Sequence, residues 1–165
     1  MATEIKIPET DLKESLYESI LPQIYSLVKD EVNFIANISN ITSALQYSLK
    51  NVIWTGFYFL DKEKNELVLG PFQGRVACTR LQPGKGVCGT AFAKKETVIV
   101  EDVESFPGHI YCDASSRSEI VIPVIKNGNA VAVLDIDSDI LANFDSIDAR
   151  YLEELIRNTS YLFDE

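Results

Sequence analysis

What this sequence is short of narrows the reading before any motif does. It has no long apolar run, because charges interrupt every hydrophobic stretch well before the length a bilayer requires. It has no secretory signal, since MATEIKIPETDLKE is polar and acidic rather than basic and then apolar. The expected compartment is therefore the cytoplasm, where thiols stay reduced and disulfides tend to be transient and catalytic. Basic residues are few, 15 Lys and Arg against 25 Asp and Glu, and no cluster of them offsets the net charge of -10. Such a surface repels phosphate backbones, so nucleic acid is not an expected partner, and the acidity serves solubility. There is no internal repeat, low-complexity tract or linker, and 165 residues make one domain spanning 1–165. Histidine occurs once and cysteine three times.

These rare reactive types are not scattered. Cys78, Cys88, Cys112 and His109 all fall between Gly70 and Glu119, together with most of the glycines. Reactive side chains on turn-rich connections, flanked by regular scaffold, are the usual arrangement of a site. The scaffold reads as follows. A helix is expected from Thr10, with Leu12, Leu16, Ile20 and Leu27 mostly on one face and kinked or split at Pro22. A second is expected from about Glu31, with Val32, Ile35, Ile38, Leu45 and Leu49 as its stripe. Ile53–Leu60 and Leu67–Leu69 make a hairpin around DKEKNE. Val87–Lys95 reads as a short helix and Thr97–Val100 as a buried strand. Glu119–Lys126 and Ala130–Asp137 pair through Lys-Asn-Gly-Asn, a type I′ signal, and Phe144–Leu162 closes the chain as a helix. Hairpin-linked strands argue against a doubly wound parallel sheet, so the expected fold class is α+β, an antiparallel sheet flanked by N-terminal and C-terminal helices.

The cysteines admit three readings. As small buried hydrophobes each would be unremarked alone, but three in turn-rich sequence favour chemistry. A structural zinc site of Cys78, Cys88, His109 and Cys112 has a suitable inventory, yet the ten residues from Cys78 to Cys88 exceed the usual ligand spacing. Thiol redox catalysis, one cysteine attacking and another resolving the product as a disulfide, fits best. By physics alone Cys88 narrowly leads as nucleophile, because a helix N-terminus stabilises its thiolate. Asp135 and Asp137 alternate in VAVLDIDS and so share a face, where two carboxylates repel unless they bind a cation or share a proton. Glu119 opens the apolar strand EIVIPVI, and Trp54 and Tyr58 also share one face of a strand.

With those residues in place, the chain resembles the GAF-domain reductases specific for free methionine-(R)-sulfoxide. The motifs carrying the resemblance are Trp54-Thr-Gly-Phe-Tyr58, Gly70-Pro-Phe-Gln-Gly74 with Ala77-Cys78, Gly86-Val-Cys-Gly89, Phe106-Pro-Gly-His-Ile110 with Cys112-Asp113, Ser118-Glu-Ile-Val121 and Leu134-Asp-Ile-Asp-Ser138. Ile53 and Tyr111 depart from the family pattern beside matched residues. The resemblance implies a GAF fold and Cys112, rather than Cys88, as the attacking cysteine. It implies Cys88 and Cys78 as the cysteines that resolve or recycle it. Trp54 and Tyr58 would surround the methylsulfinyl group, and Glu119, Asp135 and Asp137 would bind substrate. The implied cycle passes through a sulfenic acid and a disulfide reopened by thioredoxin, with no metal or organic cofactor. A homodimer through the N-terminal helices or the last helix is also expected, and a ligand-sensing GAF module is the competing reading.

Overall fold

Alternating side chains in four long strands leave the sheet with two unlike faces, and everything else in the fold follows from covering them. The computed structural model describes residues 4–110 and 113–163. The strands are β1 (Val52–Asp61), β2 (Glu66–Gln73), β3 (Arg80–Leu81), β4 (Val98–Val100), β5 (Ser118–Lys126) and β6 (Asn129–Ser138). They form one sheet in the order β3-β2-β1-β6-β5-β4, with antiparallel pairing throughout. The helices are α1 (Lys13–Val28), α2 (Phe34–Ser48), α3 (Gly86–Lys94) and α4 (Ser146–Thr159).

On one face Ile120, Ile122 and Val124 of β5 and Ala132, Leu134 and Ile136 of β6 pack under α1, α2 and α4. On the other, Tyr58, Val121 and Val133 meet Val87, Cys88 and Ala91 of α3. The β5–β6 hairpin turns at Asn127 and Gly128, whose φ values of 50° and 76° are the two positive angles a type I′ turn requires.

Several expected boundaries move. The first helix begins at Lys13, because the Thr10 hydroxyl accepts the Leu12 amide (3.1 Å) and holds that segment outside the helix. Pro22 lies inside α1 without splitting it: one backbone bond is forfeited, but Leu16, Ile20, Leu21 and Ile24 are buried around it. The second helix starts at Phe34, capped by the Asn33 side chain on the Ala36 amide at 2.9 Å. Val32 and Ile35, placed in its apolar stripe above, are instead 97% and 57% exposed, and Ile38, Ile41 and Leu45 form the buried face. Strand β4 is an edge strand with Ile99 facing outward rather than a buried one. The last helix starts at Ser146, fixed by a capping box between Asp145 and Asp148, and after Thr159 it passes into a 3₁₀ turn over Ser160–Phe163. No helix among the described residues is long and apolar enough to cross a membrane.

Candidate active site

The face opposite α1, α2 and α4 collects the polar residues of β5 and β6. Glu119 stands directly across from Asp137 in the β5–β6 register, and Asp135 across from Val121. Strand alternation therefore brings three carboxylates to one patch, one cross-strand pair and one diagonal neighbour. Helix α3 lies over this patch through Val87, Cys88 and Ala91, and Gly89 lets the preceding turn fold back against the helix, since a Cβ there would collide with the Gln82 carbonyl oxygen. That seating places the Cys88 thiol as a weak donor to Glu119 Oε1, at 4.0 Å.

A cavity of about 40 Å³ opens between these elements, lined by Tyr58, Cys88, His109, Glu119, Asp135 and Asp137 among others. His109 Nδ1 is 3.9 Å from Glu119 Oε2, with a side chain only 7% exposed. Ser116 donates its hydroxyl to Asp137 Oδ1 at 2.6 Å. The Tyr58 hydroxyl donates to the Cys78 carbonyl oxygen at 3.0 Å, tying the cysteine-bearing loop to β1. Trp54 is buried but is not among the lining residues. Its ring stacks on Tyr58 at 6.0 Å and on Phe72 at 5.4 Å, passing over Gly56, where a Cβ would strike the indole. Its indole N–H donates to the Arg75 carbonyl at 3.0 Å. Trp54 thus backs the wall that Tyr58 presents.

Burial dominates the electrostatics. Desolvation pushes all three carboxyl groups up, Glu119 and Asp137 well above the usual carboxylate range. Asp135 is raised by burial to about 6, an upward shift that the neighbouring Cys88 and Glu119 partly offset by favouring its ionised form. The Cys88 thiol is pushed well above its ordinary value by burial first and then by Asp135 and Glu119. This corrects the expectation that the helix N-terminus makes Cys88 a thiolate: a dipole effect of about 1 kcal/mol loses to desolvation beside two carboxyl groups. Burial also pulls His109 down, leaving its imidazole neutral at physiological pH.

Of the residues named from sequence, the structure brings Tyr58, Cys88, Glu119, Asp135 and Asp137 to one cavity. Cys78 is in a disulfide, whereas Cys88 is a free, buried cysteine. A disulfide-bonded Cys78 is not available to the structural zinc site weighed above. Cys112 and Tyr111 lie outside the described residues; Ile110 and Asp113, which bracket them in sequence, both line the cavity. Sequence reasoning missed Ser116, which sits in Ala-Ser-Ser-Arg-Ser and has no pattern to distinguish it from its neighbours.

Comparison with known proteins places this geometry. The model of the GAF domain family matches residues 39–164. GAF domain-containing protein A of Dictyostelium discoideum is 52% identical over 95% of this chain and 98% of its own length. The free methionine-R-sulfoxide reductase of Saccharomyces cerevisiae is 45% identical over 92% of this chain and 88% of its own. Among solved structures, the free methionine-R-sulfoxide reductase of Neisseria meningitidis in complex with its substrate superposes with a TM-score of 0.94. It is 46% identical and covers 98% of this chain and 95% of its own.

Proposed function

The chain belongs to the GAF domain family, among its free methionine-(R)-sulfoxide reductases, and from that premise we propose how its residues carry out the reduction. The observation that carries the reading is the convergence of Glu119, Asp135 and Asp137 in one buried cavity beside Tyr58. A free amino acid brings an ammonium group that seeks a carboxylate, and a sulfoxide oxygen that seeks a proton. One cluster supplies both. Asp135, with its pKa near 6, is ionised at neutral pH and takes the ammonium. Glu119 and Asp137 keep their protons and donate them to the sulfoxide oxygen. Tyr58, backed by Trp54, packs against the methyl group on sulfur.

Cys112 attacks the sulfoxide sulfur as the oxygen is protonated. Oxygen passes to the cysteine, the substrate sulfur is reduced to the thioether, methionine departs, and Cys112 becomes a sulfenic acid. A second thiol then condenses with it, releasing water and forming a disulfide that a dithiol such as thioredoxin reopens. The disulfide-bonded state of Cys78, against the free and buried Cys88, supports Cys78 as that resolving thiol. Cys88 instead donates to the carboxylate cluster. A homodimer is proposed as well. The apolar stripes of α1, α2 and α4 are spent on the sheet, which leaves Val32, Ile35 and Tyr47 of the α2 region exposed for the contact. Light scattering that returns a monomer mass would refute it.

NADPH consumption coupled through thioredoxin tests the function. Turnover is expected with the free R epimer and little with the S epimer or an N-acetylated sulfoxide, whose amine no longer carries a charge. Comparable turnover of the N-blocked compound overturns the assignment of the carboxylates.

A further inference from the structure

The substrate cavity also has the composition of a cation site. One ligand atom each from Cys88, Glu119 and Asp135 lies within 4.8 Å of the other two, and all three residues are buried. A second observation points the same way. Asp135 Oδ1 is buried without a hydrogen-bond partner among the described residues, on a residue only 6% exposed. A carboxyl oxygen held out of water and unsatisfied costs about 1–3 kcal/mol, a cost a bound cation removes.

We propose that a thiophilic divalent cation, zinc being the type, binds Cys88 Sγ and one oxygen each of Glu119 and Asp135, releasing the thiol and Glu119 protons to solvent, and thereby excludes the sulfoxide. The donor set chooses the metal. One sulfur and two carboxyl oxygens leave one position of a tetrahedron open toward the cavity, the ligand count of an accessible zinc site. Magnesium and calcium prefer six or more oxygen donors and gain nothing from a thiolate. Tetrahedral zinc bonds of about 2.0–2.3 Å put neighbouring donors roughly 3.5 Å apart. Cys88 Sγ and Glu119 Oε1, at 4.0 Å, need only a small side-chain adjustment. This set shares only Cys88 with the Cys78, Cys88, His109 and Cys112 arrangement weighed from sequence, and it occupies the reaction site rather than bracing the fold. That the cation excludes substrate rests on the reading of this cavity as the substrate site; that it binds does not.

The test is cobalt titration of the Cys78→Ser/Cys112→Ser variant, in which Cys88 is the sole cysteine. A thiolate-to-cobalt charge-transfer band saturating at one equivalent is expected, and it should vanish when Cys88→Ser is added. In the reduced wild-type protein, competition against a chromophoric chelator should show zinc affinity falling at least tenfold on Cys88→Ser and on Asp135→Asn. No band from Cys88 alone, or zinc affinity unchanged by Cys88→Ser, overturns the site. The wild-type competition decides the matter by itself if the double variant does not fold. Zinc inhibition competitive with the sulfoxide supports the exclusion. Tight zinc binding with no competition overturns the exclusion and, with it, the placement of substrate here.

Discussion

The two faces of the sheet come from the same residues of sequence read at alternate positions, yet they obey different rules. Ile120 and Ile136 face α1, α2 and α4 in a core built mainly of apolar side chains, with Thr55 beside Ile136 across β1 and β6. Glu119 and Asp137, one step away along each strand, face α3 and a cavity. On the helix-covered face a side chain is fixed by volume, and its contribution is burial and packing. On the cavity face the residues are nearly as buried, but burial there raises the carboxyl pKa values, and an oxygen of Asp135 has no hydrogen-bond partner among the described residues. One face stabilises the fold, and the other spends part of that stability on poised chemistry.

Substitutions that separate the two faces put this contrast at risk. The largest effect is expected from Cys112→Ser, which should release no methionine even in a single turnover, because no sulfenic acid can form. Cys78→Ser should release about one methionine per enzyme and then stop, for want of a resolving thiol. Quenched single-turnover analysis reads both, and the reverse pattern, with Cys88→Ser inert and Cys112→Ser active, would assign the attack to Cys88.

Next come the proton donors. Glu119→Gln and Asp137→Asn should each lower kcat on the order of 10²–10⁴-fold, the range for loss of a positioned acid, while the folded protein remains. Steady-state rates alongside circular dichroism check this. A loss below tenfold in both would remove proton donation from the cavity face.

On the opposite face Leu134→Ala should behave inversely. Leu134 is fully buried among the helices, so truncation should cost about 2–5 kcal/mol in urea unfolding. Activity per folded molecule should stay within a few-fold of the wild type. A collapse in kcat at unchanged stability would show that the faces are not separable.

The smallest effect is a gain. A carboxyl whose folded pKa is raised binds more protons folded than unfolded, so stability falls as pH rises from the unfolded value through the folded one. For Asp135 that window runs from its ordinary value of 3.8 to about 6. Above it, Asp135→Asn should therefore be more stable than wild type, by on the order of 3 kcal/mol at pH 8, and near pH 3 the advantage should disappear. Urea titrations at the two pH values measure it, and a variant less stable at pH 8 would mean that Asp135 is held by favourable contacts rather than burdened by burial.

Much of this was legible along the chain because it is set by neighbours in sequence. The Asn127-Gly128 turn, the alternation that puts Asp135 and Asp137 on one side, and the placement of Cys88 in the first turn of a helix need only local geometry. The family motifs likewise sit at fixed places in the chain, and the similarity to known reductases extends over nearly all of it. Where the sequence misled, a distant contact outweighed a local preference. Pro22 stays inside α1 because the core holds the helix around it. Val32 and Ile35 fit an apolar stripe by spacing, but Val32 precedes the Asn33 cap of α2 and Ile35 is exposed in its first turn.

The character of Cys88 shows the division most sharply. By its place at a helix N-terminus it reads as an activated thiolate. Its true environment is a pair of carboxyl groups on two strands that pair with each other far along the chain. Ser116 was invisible for the same reason, since only folding carries its hydroxyl to Asp137. Sequence by itself determined which residues share a face, because pleat and helix pitch are properties of consecutive residues. Only the tertiary structure decided how those residues ionise, because desolvation and charge repulsion depend on what the fold packs against them.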